Sequence, residues 1–348
     1  MKKSIVCVFA VSLSGLGVAT TSAGPAEPPV AAGMKKSGIV MRTAQATGEN
    51  PFAAGKTAAE ALQKSMGNTE IKAVFYAECF EDKANKEELL KGMVAVLGAD
   101  KLIGGSVYGT YTQQGVLTED AVALLGIGGD EVSVSMALQE NMGAAGLTIE
   151  KDNDQLTRAL GDSGSRLAKQ LGSTTDGALL IVLGDAHSPK NQLLLDGIQT
   201  VVGKKLPVTG GSVSKNAGQN WLGYGGKLYS DAAVALLIRG KVQVAQTGRQ
   251  AKENDLVIAT AKEGSAQAVK QLGKEPTAVI AFDCAGRKGK LQKIEDEWSA
   301  IQSTIGTTTT LFGCYCAGEF GPADIADVAD KSTVYGCGWH VMFSAVAP

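Results

Sequence analysis

One pattern of elements recurs three times along the sequence, and this repeat constrains the possible folds more than any other feature. The apolar segment AVFYAEC starts at Ala73, ALLIVLG starts at Ala178 and AVIAFDC starts at Ala278. Each segment has the length and composition of a buried strand. The starts lie roughly 100 residues apart, a period that indicates an internal structural repeat.

A glycine-rich turn follows each apolar segment. The turns read GGSVYG from Gly104, GGSVSK from Gly210 and FGCYCAG from Phe312. A helical pattern that ends near a glycine precedes each segment, and a glycine there is the usual left-handed helix stop. About three strand-helix-strand repeats of this kind predict an α/β fold of layered mixed sheets covered by helices.

Residues 1–23 have the layout of a secretory signal peptide. Two lysines precede an apolar run from Ile5 to Val18, and small residues follow as far as Ala23. The run is shorter than the roughly 20 residues of a membrane-spanning helix. We therefore expect cleavage after Ala23 and export to the periplasm or the cell exterior, with an uncleaved membrane anchor as the alternative.

The remaining length is sufficient for two domains. Residues 24–50 are rich in proline and poor in large apolar residues, which predicts a flexible tail. We expect one domain over residues 51–250 and a second over residues 251–348, with the division before the third copy of the repeat.

The charge balance argues against two classes of partner. The chain has 33 basic and 35 acidic residues, and such a mild acidic balance gives no electrostatic footprint for nucleic acid or anionic lipid. No later segment approaches membrane-spanning length without charges. We therefore expect neither nucleic acid as a partner nor membrane insertion of the mature chain.

The first two glycine turns are candidate ligand-binding sites. Ligands of open α/β sheets tend to bind where strands end and loops gather. A Gly-Gly-Ser turn offers backbone N–H groups and a hydroxyl for a carboxylate or another small anion. The alternative is that the glycines only permit tight packing of strand against helix. The candidates are Gly104, Gly105, Ser106, Gly210, Gly211 and Ser212.

The third turn is richer in reactive side chains. Two cysteines separated by one residue do not have the usual zinc spacing, so we expect no metal there. A disulfide between them is disfavoured because side chains two apart on a strand lie farther apart than a bridge prefers. We expect two small, partly buried thiols. The candidate ligand-binding residues of this turn are Gly313, Cys314, Tyr315, Cys316, Gly318 and Glu319.

Cys284 and Arg287 lie at the end of the third apolar segment, in FDCAGRKGKL. The guanidinium of Arg287 is suited to clamp a ligand carboxylate with two hydrogen bonds. Its positive charge would also favour the thiolate form of Cys284. The competing interpretation is a surface arginine that caps the next helix.

The chain has two histidines, His187 and His340. His340 is predicted to lie on a late strand, either as a hydrogen-bonded core histidine or as a ligand of haem or a metal. His187 is predicted at the putative binding edge beside Asp185, but a catalytic triad is defined by geometry rather than by sequence order. The sequence contains no GxSxG elbow, HExxH helix or P-loop, which weakens every enzyme hypothesis.

Together, these motifs resemble the FIST family. The resemblance runs through GENPFAAGKTAAEALQKSMG, GGSVYG, GGSV, FDCAGRKGKL and LFGCYCAGEFGP, and spans roughly residues 40–346. It implies a FIST N-like domain followed by a FIST C-like domain. Family members are sensory modules of bacterial signalling proteins that bind small ligands such as amino acids, and some relatives bind haem. Carried over to this chain, the resemblance places Cys284, Arg287, Gly313, Gly318 and Glu319 near the ligand.

Two departures from the family pattern shape the functional expectation. This chain carries no kinase, cyclase or methyl-accepting segment, and it has the features of an exported protein. We therefore expect a non-catalytic, exported sensory protein that binds an amino acid or small carboxylate and signals through a separate membrane receptor, with binding and storage alone as the alternative. The alternatives are a thiol enzyme that uses Cys284 or Cys316, and a haem-binding gas sensor that uses His340. No cofactor is expected outside this last alternative.

Overall fold

A computed structural model describes residues 38–216, 219–324 and 334–348. The predicted signal peptide lies outside these residues. The predicted tail over residues 24–50 extends too far, because Val40–Thr47 forms a strand. This strand pairs along its whole length with Ala121–Gly128 at the edge of the first sheet. The proline-rich start of the predicted tail concealed it.

Each repeat contains strand, helix, strand, helix, strand, a short hairpin and a final strand. The first repeat comprises β1 (Val40–Thr47), α1 (Pro51–Met66), β2 (Ile71–Glu78), α2 (Lys83–Leu97), β3 (Leu102–Ser106), β4 (Thr110–Thr112), β5 (Gly115–Leu117) and β6 (Ala121–Gly128). The second comprises β7 (Val132–Gln139), α3 (Ile149–Gln170), β8 (Gly177–Gly184), α4 (Asn191–Val202), β9 (Val208–Ser212), β10 (Leu222–Tyr224), β11 (Lys227–Tyr229) and β12 (Ala233–Gly240).

The third repeat follows the same order, with a short extra helix after its second strand. It comprises β13 (Gln243–Gln250), α5 (Asn254–Leu272), β14 (Ala278–Cys284), α6 (Ala285–Lys288), α7 (Ile294–Ile305), β15 (Thr310–Cys316), β16 (Glu319–Gly321), β17 (Tyr335–Cys337) and β18 (His340–Ala347). The three copies of the pattern confirm the predicted internal repeat.

Polar caps and glycines set the ends of the helices in the first repeat. The side chains of Asn50 and Asp82 each accept a backbone N–H three residues on, at 3.0 and 2.8 Å. Such caps satisfy N–H groups that have no partner inside the helix. The two helices end at Gly67 and Gly98, whose φ angles are 58° and 82°. Glycine adopts these angles without the steric cost that a side chain brings.

The described strands form three six-stranded mixed sheets, and each sheet borrows a hairpin from another repeat. The orders are β1-β6-β2-β3-β10-β11, β17-β16-β9-β8-β12-β7 and β13-β18-β14-β15-β4-β5. The hairpin of the second repeat thus completes the first sheet, that of the third completes the second, and that of the first completes the third. This cyclic exchange interlocks the repeats. The three mixed sheets, together with the helices between their strands, confirm the predicted α/β class.

The exchange also changes the domain division. β13 pairs with β18 along its whole length, so Gln243 to Gln250 belong to the third sheet. A division near residue 250 separates this strand from its own sheet. The third repeat therefore starts at Gln243, and hairpin exchange joins it to the other two repeats.

The three sheets turn their inner faces toward a shared apolar core. Phe75 of the first repeat packs edge-to-face against Phe282 and Phe312 of the third, with ring centroids 5.9 and 5.6 Å apart. Such edge-to-face contacts suit the ring quadrupoles. Helices cover the outer face of each sheet. Within the described ranges, none of these helices is both long and apolar enough to cross a membrane.

Candidate functional site

The ends of the three parallel strand pairs meet at one place in the fold. β3, β9 and β15 end at Ser106, Ser212 and Cys316, which occupy equivalent positions in their sheets. Three backbone hydrogen bonds join the repeats there: Ser214 N–H to Ser106 O at 2.9 Å, Ala317 N–H to Ser212 O at 3.0 Å and Tyr108 N–H to Tyr315 O at 2.8 Å. The loops of all three repeats therefore converge where an α/β sheet usually binds its ligand.

A cavity of about 530 Å³ lies beside this convergence, and we call it the junction pocket. Cys79, Val107 and Lys288 are among its less exposed lining residues, whereas Glu81 and Glu119 are exposed. The volume lies within the range of small-molecule sites in proteins.

The three repeats contribute different polar groups to the junction pocket. The first repeat supplies three carboxylates, from Glu81, Glu119 and Asp120, and the second supplies amides from Asn216 and Gln219. The third repeat supplies one ammonium, which is the single cation among the described lining residues. Groups of both charge signs thus line one cavity.

Lys288, the last residue of α6, provides this ammonium. Its Nζ donates to the backbone carbonyl of Tyr108 at 2.5 Å and lies 5.9 Å from the ring centroid of Tyr315. Burial lowers the pKa of Lys288, while the nearby Cys79 and Glu119 act in the opposite direction. Partial desolvation is the larger effect because water no longer fully solvates the ammonium.

Asp120 has an unusual backbone conformation that recurs at the equivalent position of each repeat. Its φ is 43°, and the φ angles of Asp231 and Trp339 are 46° and 64°. Each of these residues lies just before the last strand of its repeat, in a conformation that costs free energy for residues other than glycine. The carboxylate of Asp231 accepts the backbone N–H groups of Gly143 and Ala144, whereas Asp120 lines the junction pocket.

The two Gly-Gly-Ser turns do not form the predicted binding site. A Cβ at Gly104 would lie 2.0 Å from Tyr76 O, and one at Gly210 would lie 1.9 Å from Val182 O. These contacts match the alternative interpretation, in which the glycines permit tight packing. The candidates Gly104, Gly105, Ser106, Gly210, Gly211 and Ser212 are all buried within β3 and β9, and none lines the junction pocket.

The hydroxyls of these turns also have partners inside the protein. Ser106 Oγ donates to the carboxylate of Glu78, and Ser212 Oγ donates to Ala186 O at 2.8 Å. Glu78 forms a buried ion pair with Lys86, whose Nζ lies 3.0 Å from Glu78 Oε1. No motif in the sequence indicates this pair. Buried hydroxyls with such partners are not free to hold a ligand anion.

Arg287 is neither a ligand clamp nor a surface cap. Its side chain is fully buried, and it donates from Nε to Asp283 Oδ1 at 3.0 Å and from Nη2 to Glu297 Oε1 at 2.6 Å. Further bonds reach Thr260 Oγ1 and Val257 O. Burial raises the pKa of both Asp283 and Glu297, and the guanidinium opposes this rise. Arg287 therefore balances two buried carboxyl groups.

The surroundings of Cys284 oppose the predicted thiolate. Burial raises the pKa of the Cys284 thiol to about 12. Arg287 does not overcome this effect because its charge is engaged by two carboxyl groups. Cys284 Sγ instead accepts the backbone N–H of Trp339 at 3.2 Å.

The third turn is a buried part of the fold. Cys314 and Cys316 are free thiols with their sulfur atoms 3.7 Å apart, and Tyr315 packs against Tyr111. Gly313 makes room for that tyrosine, because a Cβ there would lie 2.0 Å from its ring. Among the described residues, no group of three or more histidine, cysteine or acidic side chains is arranged to hold a metal ion.

Glu319 is a buried carboxyl group beside Gly318 at the end of this turn. Its Oε2 accepts the backbone N–H of His340 at 3.1 Å, while Oε1 has no hydrogen-bond partner among the described protein atoms. Burial raises the pKa of Glu319 well above its usual value. The neutral acid is the favoured form, since an ionised carboxylate in this place lacks compensation.

The substitution Glu319→Gln is expected to flatten the pH dependence of stability. An acid whose folded pKa is raised stabilises the fold below its unfolded pKa, near 4.3, and loses that contribution as the pH rises through the folded pKa. Glutamine is neutral throughout, so the variant loses less stability toward alkaline pH. Urea unfolding of both proteins from acidic to alkaline pH measures this. Parallel curves would contradict a protonated Glu319.

Both histidines are hydrogen-bonded to the protein backbone. In buried His340, Nδ1 lies 2.9 Å from Gly338 O, and Nε2 accepts the N–H of Asp324 at 3.2 Å. These contacts match the core-histidine interpretation. Nε2 of His187 lies 3.0 Å from Val213 O and 3.8 Å from Asp185 Oδ1. Burial lowers the pKa of both rings.

None of the described residues that line the junction pocket is among the candidate binding residues predicted from the sequence. Lys288 follows the candidate residue Arg287, and Glu119 and Asp120 directly precede β6. The recurrence of aspartate before two equivalent strands, at Asp120 and Asp231, was the available signal. No local pattern indicates that loops from three repeats meet at one cavity.

Comparison with known proteins yields one family match and several distant structural similarities. The family model of the FIST N domain matches residues 72–269. No curated protein matches the chain. A cyanuric acid hydrolase aligns with a TM-score of 0.47 and 11% identity, over 89% of this chain and 99% of its own. A second, from A. caulinodans, aligns with a TM-score of 0.46 and 12% identity, over 89% and 100%.

Proposed function

We propose that this chain, which belongs to the FIST family through its FIST N domain, binds a small polar ligand in the junction pocket. FIST domains are small-ligand sensory domains. The observation that carries the proposal is the convergence of loops from all three repeats on one cavity that contains a partly desolvated lysine. A site built from several interlocked repeats can also respond to ligand by a change in how the repeats pack.

The polar groups of the pocket suit an amino acid or a small carboxylate. Lys288 offers an ammonium to a ligand carboxylate, and the carboxylates of Glu119 and Asp120 offer partners to a ligand ammonium. Hydrogen bonds between charged groups are stronger than neutral ones. This arrangement supports amino acids as the first ligand class to test.

We propose a binding role rather than catalysis. A thiol enzyme requires an accessible thiolate, whereas burial raises the pKa of Cys79, Cys284 and Cys337 to about 12. The hydrogen-bonded ring of His340 likewise gives no support to a haem-dependent sensor. The proposed function requires no cofactor.

We further propose that the mature protein acts outside the cytoplasm, in the periplasm or at the cell exterior. The signal-peptide-like residues 1–23 support this location. Signalling would then depend on a separate membrane receptor that recognises the ligand-bound form. Retention of the protein in the cytoplasm of its native host would contradict the proposed location.

A thermal-shift screen of the mature protein from Gly24 onward tests the proposed function. Amino acids, short carboxylates and haem form the panel. A ligand that binds only the folded state is expected to raise stability by about 2.7 kcal/mol at one hundred times its dissociation constant. A saturable shift with one chemical class supports the proposal, and the absence of a shift with every compound counts against it.

The substitution Lys288→Met is expected to weaken binding of a ligand carboxylate by about 1.5–3 kcal/mol, because it removes a charged hydrogen-bond donor from the pocket. Titration calorimetry with the compound found in the screen measures the loss. Lys290→Met provides the matched control, since Lys290 is exposed and does not line the pocket. Equal affinities of the two variants would place the ligand elsewhere.

A further inference from the structure

The amine of Lys288 is fixed in the wall of the junction pocket. Its acceptor, Tyr108 O, belongs to the first repeat, so the side chain crosses from the third repeat to reach it. Lys288 also lines the junction pocket, so its amine is held at a defined position in the wall of the cavity.

Lys288 donates its hydrogen bond to a neutral group rather than to a carboxylate. Its hydrogen-bond acceptor is a neutral carbonyl, and among the described residues no carboxylate lies within ion-pair distance of Nζ. Lys86 shows the contrast, because its buried Nζ lies 3.0 Å from Glu78 Oε1. Burial lowers the pKa of Lys288 and so increases the share of neutral amine at a given pH. A neutral, partly desolvated lysine is a nucleophile toward carbonyl compounds.

Acidic groups lie in the same cavity as this amine. Glu119 is close enough to influence the ionisation of Lys288, and Asp120 and Glu81 also line the pocket. Loss of water from an amine-carbonyl adduct requires transfer of a proton from nitrogen to the departing oxygen, and a nearby carboxylate can accept that proton and pass it on. The cavity thus combines a nucleophile with proton-transfer groups.

We infer that Lys288 captures small hydroxylated aldehydes or ketones in the junction pocket as a reversible imine. The inference rests on the proposed function in taking this pocket as the ligand site, and it goes beyond that function in assigning a covalent step. Nζ forms a bond to the carbonyl carbon, and the proton that nitrogen loses is transferred to the carbonyl oxygen. Nitrogen then loses its second proton, and the hydroxyl group leaves as water to give the C=N bond. No electrons are exchanged with another reactant, and water reverses the step.

The remaining pocket groups select the kind of carbonyl compound. The ammonium form of Lys288 holds the ligand carboxylate of the proposed function, but in the neutral form that reacts no positive charge offsets Glu81, Glu119 and Asp120. These carboxylates then repel an anionic ligand. The same carboxylates accept hydrogen bonds from ligand hydroxyls, and the amides of Asn216 and Gln219 offer both donors and acceptors. Neutral hydroxylated compounds are therefore favoured over oxo acids of similar size.

Reductive trapping tests the inference directly. The purified protein is incubated with glyceraldehyde and cyanoborohydride, which converts an imine into a stable secondary amine, and modified peptides are identified by mass spectrometry. Lys288 is expected to be modified several-fold faster than exposed Lys290, because its amine lies in the lining of the cavity that holds the carbonyl compound and burial lowers its pKa. Lys288→Arg is expected to lose this fast site and Lys290→Arg to retain it.

The comparison with glyoxylate, an anionic aldehyde, tests the ligand class. Slower trapping of glyoxylate than of glyceraldehyde at Lys288 supports the inferred preference, and the reverse order overturns it. Equal modification of Lys288 and Lys290 overturns the nucleophilic role itself. Thermal shifts measured without cyanoborohydride separate the two proposals. A rise in melting temperature with amino acids, but no selective trapping at Lys288, preserves the proposed function and rejects the imine. Unchanged melting temperatures of the arginine variants confirm that both remain folded.

Discussion

The substitution Arg287→Ala is expected to destabilise the fold by about 3–5 kcal/mol, the usual cost of removing one partner from a buried ion pair. Arg287 is fully buried and contacts both Asp283 and Glu297. Without the guanidinium, two buried carboxyl groups remain with little compensation and must be protonated for the fold to persist. Urea unfolding monitored by circular dichroism measures the loss.

The exposed lysine Lys91, which pairs with Glu88 on the surface, supplies the control. Lys91→Ala is expected to leave the unfolding midpoint nearly unchanged, since water and salt screen exposed ion pairs. Ligand affinity distinguishes the two roles considered for Arg287. A variant that keeps its stability but loses ligand binding would restore the clamp interpretation and contradict the structural role.

The partners of Arg287 show which contacts the sequence cannot predict. The four-residue spacing of Asp283 and Arg287 is visible in the sequence, but Asp283 lies near the end of a strand, so the helical spacing rule did not indicate their ion pair. Glu297 belongs to the following helix, and only the packed fold brings it to the guanidinium at 2.6 Å. An arginine that resembles a ligand-binding residue in sequence can therefore stabilise the fold instead, because a ligand carboxylate and an internal carboxylate both pair with the same guanidinium.

The repeat and the α/β class were predictable because buried strands and amphipathic helices leave local patterns. The segments at Ala73, Ala178 and Ala278 all became central strands of their sheets. The hairpins were not predictable, since β4, β5, β10 and β11 each have three residues and carry little periodicity. Their exchange between repeats is a long-range feature that no local pattern records.

The same limit explains the candidate site. The sequence predicts ligand binding at the strand ends, and the junction pocket lies beside those ends. The glycines of the first two turns were predicted to bind a ligand through their backbone N–H groups. In the structure, Gly104 and Gly210 instead let neighbouring strands approach closely. The less conspicuous residues that follow the strands, such as Cys79 and Tyr108, line the cavity instead.

The substitution Gly210→Ala is expected to be among the most disruptive single changes in the chain, with a loss of about 3 kcal/mol or failure to fold. An added Cβ would lie 1.9 Å from Val182 O, and the φ of 148° at Gly210 strains any residue with a side chain. Overpacking costs about 1–3 kcal/mol, and such backbone strain costs a further 1–3 kcal/mol or so. β9 has little freedom to relax, because it pairs with β8 on one side and with the borrowed strand β16 on the other.

Gly161→Ala is the matched control, because a Cβ at Gly161 meets nothing within 4 Å and the residue lies inside α3. Alanine is favoured over glycine within a helix by about 1 kcal/mol, so this variant is expected to melt at a slightly higher temperature. Calorimetric melting of both variants measures the contrast. If Gly210→Ala were tolerated as well as Gly161→Ala, the close strand approach at the junction would be wrong. The Gly-Gly-Ser turn would then regain its place as a candidate binding loop.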